Sequence, residues 1–158
     1  MSSPSSREST RTSLPQAREG VLQTWLHLAR VYQKIQRQLE RILDNAGLTL
    51  PQFDVLANLG MSEGITQQEL AERLLVTKGN VCGLLDRMES AGWVQRKSST
   101  QDRRANHIYL TDKGRSALQA AFPIHLGLIQ QCMAPLSTVQ QTQLNELLDQ
   151  IESSDCYR

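Results

Sequence analysis

A chain of 158 residues with 39% hydrophobic and only 4% aromatic residues suits one small, helix-rich domain with a core of its own. No apolar run nears the roughly 18 residues of a membrane span and no hydrophobic signal core is visible, so the expectation is a soluble, cytoplasmic protein without a membrane partner. The net charge of +1 hides an uneven layout: Val76–Arg115 carries 8 Lys/Arg against 4 Asp/Glu, and the remainder 9 against 12. A basic middle on an acidic body fits a polyanion partner, although an ordinary solvated surface gives the same count.

In chain order, Met1 to about Glu19 is Ser-, Thr-, Pro- and Arg-rich with little to bury, and reads as a disordered arm (1–19) whose Arg7, Arg11 and Arg18 are its only means of touching a nucleic acid. Val21, Trp25, Leu28, Tyr32, Ile35, Leu39, Ile42 and Ala46 then alternate spacings of four and three, the seam of a long helix made for another helix. Three short helices follow, expected at about 50–60, 66–74 and 77–91. Thr49 with Gln52 and Thr66 with Glu69 form capping boxes at the first two, and Thr77 caps the third. Only "LLVT" separates the last two, which is the tight junction of a helix-turn-helix.

After Gly92, strands are expected around Val94–Lys97 and Asn106–Leu110, joined by a polar loop, so a hairpin wing follows the helix-turn-helix. Thr111 caps a further helix that should kink at Pro123. Ser137 with Gln140 opens the last helix, whose Leu144, Leu147, Leu148 and Ile151 share one face. The fold class is therefore mainly α with a small β-hairpin wing.

The helix beginning at Thr77 poses the functional question. Val81, Leu84, Leu85 and Met88 form its inward stripe, which leaves Gly79, Gly83, Asp86 and Ser90 outward, flanked by Asn80, Cys82 and Arg87. Two helical glycines cost about 1 kcal/mol each relative to alanine. They make sense where a helix must press its backbone into a major groove, with Thr77, Lys78 and Asn80 offering hydroxyl, cationic and amide groups to bases and phosphates, and Arg87 reaching a phosphate. A helix end or close packing between helices is the competing explanation. The wing supplies Arg96, Lys97, Ser99, Asp102, Arg103 and Arg104; Asp102 can hold the Arg104 guanidinium for insertion into a minor groove.

At these residues the sequence resembles the MarR family of bacterial winged-helix transcription regulators, through "LTLPQFDVLANL", "ITQQELAERLLVTKGNVCGLLDRMESAGWVQR" and "DRRANHIYLTDKG". The resemblance spans about residues 21–152. It implies a winged helix-turn-helix lobe (49–115) between dimerisation helices (20–48 and 116–152), then a flexible tail (153–158). It also implies a homodimer that binds double-stranded promoter DNA at a near-palindromic site, most often as a repressor released by a small aromatic or phenolic effector or by an oxidant. By motif position, Thr77 to Gly83 start the recognition helix and Arg104, set by Asp102, is the minor-groove arginine. Cys82 stands where relatives generally have Ser or Thr. The cysteine that marks the organic-peroxide-sensing branch is missing from "VLQTWLHLARVY".

Cys82, near Lys78 and Arg87, is a candidate redox site, or simply a small residue in place of Ser. Trp25, His27, Tyr32 and Phe53 are the aromatic residues open to an effector pocket, and none is assigned to one. The sequence calls for no cofactor or metal: Cys82, Cys132 and Cys156 are scattered, and His27, His107 and His125 lie on separate elements without a nucleophile elbow or phosphate loop, so an enzyme is not expected. The alternative to a DNA-binding regulator is a winged-helix module for protein–protein interaction, which should expose aromatics or Leu on the helix and wing where this chain is small, polar and cationic.

Overall fold

The computed structural model describes residues 16–98 and 106–154. Its elements run α1 (Gln16–Asp44), α2 (Leu50–Met61), β1 (Ile65–Thr66), α3 (Gln67–Arg73), α4 (Lys78–Ser90), β2 (Val94–Ser98), β3 (Asn106–Leu110), α5 (Asp112–Met133) and α6 (Thr138–Glu152). The described residues divide into two compact units, one up to Lys34 and one from Ile35 onward. In the first, α1 exposes Val21, Trp25, Val31 and Tyr32 to solvent. No helix among the described residues is long and apolar enough to cross a membrane.

One helix boundary differs from the expectation, and one strand adds to it. The arm was expected to extend to Glu19, but α1 is already helical from Gln16. Ala17, Arg18 and Glu19 are good helix formers, and an acid in the first turn complements the helix dipole, so the long helix propagates backwards over them. The expected hairpin wing is present as β2 and β3, and β1 adds a third antiparallel strand in the order β1-β3-β2. Ile65 pairs with Ile108 and Thr66 with His107, while β2 and β3 pair from Val94↔Leu110 to Ser98↔Asn106. His107 Nδ1 donates to the Gly64 carbonyl at 2.6 Å and ties the same edge down.

The second unit has one core. Leu39 and Leu43 of α1, Phe53, Val55, Leu56 and Leu59 of α2, Leu70 of α3, Val81, Leu85 and Met88 of α4, Ile108 and Leu110 of β3 and Ala121 of α5 are all buried in one cluster. Phe53 stacks on His125 with ring centroids 4.5 Å apart, and burial holds that imidazole below its ordinary pKa. α5 is one continuous helix through Pro123, whose ring sits on its exposed side.

The capping chemistry of the short helices is in place. Thr66 Oγ1 accepts from the Glu69 N–H at 3.2 Å while the Thr66 N–H donates to Glu69 at 2.6 Å; the latter bond leads in holding the Glu69 carboxyl below its usual range. Gln52 and Gln140 close the corresponding boxes at α2 and α6. Helix ends are equally regular. The Leu48 N–H bonds the Leu43 carbonyl and Gly47 that of Asp44; Trp93 bonds Met88 and Gly92 bonds Glu89. Both are Schellman motifs with glycine in the left-handed position, at φ +74° and +75°. A third, at the α3–α4 turn, bonds Val76 to Ala71 and Leu75 to Glu72, but its left-handed residue is Leu75 at φ +54°. A leucine there costs about 1 kcal/mol.

Candidate nucleic-acid interface

The α4 helix is anchored on one side and stripped on the other. Thr77 is its N-cap, with Oγ1 accepting from the Asn80 N–H at 3.4 Å, and Val81, Leu85 and Met88 are fully buried beneath it. Outward it presents Thr77, Lys78, Gly79, Asn80, Cys82 and Arg87, all exposed, with Gly83 half-exposed. A Cβ on Gly79 would meet nothing within 4 Å, so no intramolecular packing explains that glycine; one on Gly83 would meet only Arg87 Nη1, at 3.8 Å. The Arg87 side chain therefore lies back along the helix over Gly83. Close helix packing, the competing explanation for both glycines, is absent among the described residues.

The cations of the basic segment separate into two groups. Arg96, in the middle of β2, is held by α4: its Nη2 lies 2.7 Å from Asp86 and 3.4 Å from the Cys82 carbonyl, its Nη1 lies 2.7 Å from Glu89, and its own N–H also donates to Glu89 at 2.9 Å. Only 16% of that side chain is exposed. Lys113 Nζ donates to the Ala91 carbonyl at 2.7 Å, and Arg115 pairs with Glu63 and reaches the Leu110 carbonyl. Lys97 Nζ sits 4.8 Å above the Tyr109 ring, diagonally across the β2–β3 pair. Among the described residues Lys78 and Arg87 hold no ion pair, so the uncommitted positive charge of α4 lies on its outward face. Ser99, Asp102, Arg103 and Arg104 lie outside the described residues, as does Cys156.

Charge counting placed Arg96 among the groups facing a polyanion, whereas its contacts tie the wing to α4. Asp86 and Glu89, three apart on one face of α4, form the acceptor pair that the fold brings to Arg96. Arg96→Met leaves two adjacent carboxylates without their cation, at a cost of about 1 kcal/mol because both carboxylates face solvent. Affinity for a duplex should fall severalfold while the salt slope of log K stays unchanged. A slope smaller by about one would mark Arg96 as a phosphate contact instead.

Comparison with known proteins agrees with this architecture. The MarR family profile matches residues 46–105. PecS, an HTH-type transcriptional regulator of Dickeya dadantii, is 30% identical over 79% of this chain and 77% of its own. A crystal structure of a mutant MarR from E. coli complexed with operator DNA superposes with a TM-score of 0.77 at 28% identity, covering 84% of this chain and 95% of that one. AbsC, a MarR family transcriptional regulator from Streptomyces coelicolor, gives 0.79 at 27% identity over 89% and 95% of the two chains.

Proposed function

Because this chain belongs to the MarR family of DNA-binding transcription regulators, we propose that it works as a homodimeric repressor that grips a near-palindromic promoter site and is released by a small ligand or an oxidant. The observation that carries this reading is the outward face of α4: Gly79 with open space beyond it and Gly83 covered only by the Arg87 side chain, between a capping threonine and uncommitted cations. In this reading Thr77, Lys78, Gly79, Asn80, Cys82 and Gly83 meet the major groove, Arg87 a phosphate, and the wing tip the minor groove through Arg104 positioned by Asp102, with Ser99 and Arg103 beside it. Arg96 keeps the wing at a fixed angle to α4, and Lys97 borders the duplex from its seat on Tyr109. Its working compartment is the bacterial cytoplasm, at the nucleoid when bound to DNA.

A second copy is the natural cover for the apolar rows left in solvent. Val21, Trp25 and Tyr32 on α1 and Leu147 and Ile151 on α6 are 45–74% exposed, more than a monomer gains from displaying. Pairing through the 20–48 and 116–152 helices would set two 49–115 lobes about one helical turn apart on DNA. For the effector, a mostly apolar groove of about 450 Å³ between α2 and α5, lined by Ala57, Gly60, Met61, Leu118, Phe122 and Pro123 among others, has the size and lining for a small aromatic molecule.

Arg104→Ala is expected to weaken duplex binding by about 1–3 kcal/mol in a titration while the dimer stays folded; unchanged affinity refutes the wing assignment. Cys82 is exposed on the proposed DNA-facing side, so oxidation there would add bulk where the groove must close. Cys82→Ser is expected to abolish any peroxide sensitivity of binding, measured by gel shift with and without oxidant; persistent sensitivity assigns it to another residue.

A further inference from the structure

The three Schellman motifs among the described residues differ at one position. Those after α1 and α4 place Gly47 and Gly92 in the left-handed conformation, and the one between α3 and α4 places Leu75 there. Leu75 is also 92% exposed, the most exposed of the large hydrophobic residues among those described, so its side chain returns nothing to the fold. A lone exposed leucine on an ordinary surface needs no explanation. A leucine that is exposed and also strains the backbone has no reason within the protein to be there. Its position supplies one outside: Leu75 is two residues before Thr77, within about 7 Å of chain from the start of the recognition helix. It is followed by Val76, itself 44% exposed.

We propose that Leu75 is a base-reading residue, an apolar contact for a thymine C5-methyl at the edge of the half-site, kept at that turn against the preference of the fold. The inference rests on the DNA-binding role of α4 proposed above. The thymine methyl is the apolar feature of the major groove, and neither guanine nor cytosine offers an equivalent. Of the neighbouring residues, Lys78 and Asn80 supply charged and polar groups and Thr77 only one small methyl beside its hydroxyl, so Leu75 adds a large apolar contact they lack. It would favour T·A pairs at one symmetric position of the site. It would also explain why the turn does not carry the glycine found at the two other helix ends.

The test compares the wild-type protein with Leu75→Gly and Leu75→Asn, both compatible with a left-handed backbone. Thermal melting of each is measured together with fluorescence anisotropy on a duplex selected by the wild-type protein. A series in which single symmetric thymines are replaced by deoxyuridine completes the set. Both variants should melt at or above the wild-type temperature yet bind roughly tenfold more weakly. Deoxyuridine at one symmetric position should weaken the wild-type protein by a similar factor and leave the variants unaffected. Wild-type affinity in both variants overturns the contact. Lost affinity with no uracil-sensitive position overturns its assignment to a thymine methyl. Failure of the wild-type protein to bind any duplex overturns the DNA-binding role and this contact with it.

Discussion

Gly114→Ala should destabilise the winged lobe by about 3 kcal/mol or more, seen as a lower denaturant midpoint and melting temperature, with DNA binding lost as a consequence. Gly114 is buried in the first turn of α5, and a Cβ there would fall inside the van der Waals envelope of the Trp93 carbonyl oxygen. That oxygen cannot move aside cheaply, because it accepts from the Thr111 N–H at 3.1 Å and from Thr111 Oγ1 at 3.1 Å. Thr111 in turn caps α5 through the Gly114 N–H and donates to the Gly92 carbonyl at 2.6 Å. One methyl group therefore strikes the knot that joins the end of α4, the base of the wing and the start of α5. Near-wild-type stability of Gly114→Ala, measured by urea unfolding, would show that this close approach is not structural.

Gly79 is expected to give the opposite pairing of effects. Its Cβ position is open, so Gly79→Ala should stabilise the lobe by about 1 kcal/mol through helix propensity alone. Gly79→Leu should likewise fold, yet lose on the order of a hundredfold in affinity for the selected duplex, because four added carbons hold the helix away from the groove floor. Circular dichroism melting read beside a binding titration separates the two effects. If Gly79→Leu binds as tightly as wild type, this face of α4 does not approach DNA and the stripped surface needs another explanation.

The local chemistry of the fold was legible because it is written within four residues of chain. The Thr66–Glu69 and Ser137–Gln140 boxes, the Val81–Leu85–Met88 stripe and the alternation in Asn106–Leu110 each announce an element and its buried side. Features set by tertiary contact were not. β1 is two residues long and exists only through pairing with β3 some forty residues away, and no periodicity can show in two residues. Arg96 looked like any wing cation until the chain brought Asp86 and Glu89 beside it. The tight passage over Gly114 depends on where the Trp93 carbonyl points, which side-chain pattern does not encode. For the site, the outward glycines of α4 followed from helical spacing, whereas the strained Leu75 gave no sign, since leucine is not a left-handed residue by preference.

The most direct test of DNA recognition by α4 and the wing is selection of bound sequences by the full-length protein from a random duplex library, in reducing buffer, followed by salt titration on the best binder. The expected result is an enriched near-palindrome with half-sites about one helical turn apart and a steep negative dependence of log K on log salt. No enrichment and a flat salt response, with the protein folded, would contradict it.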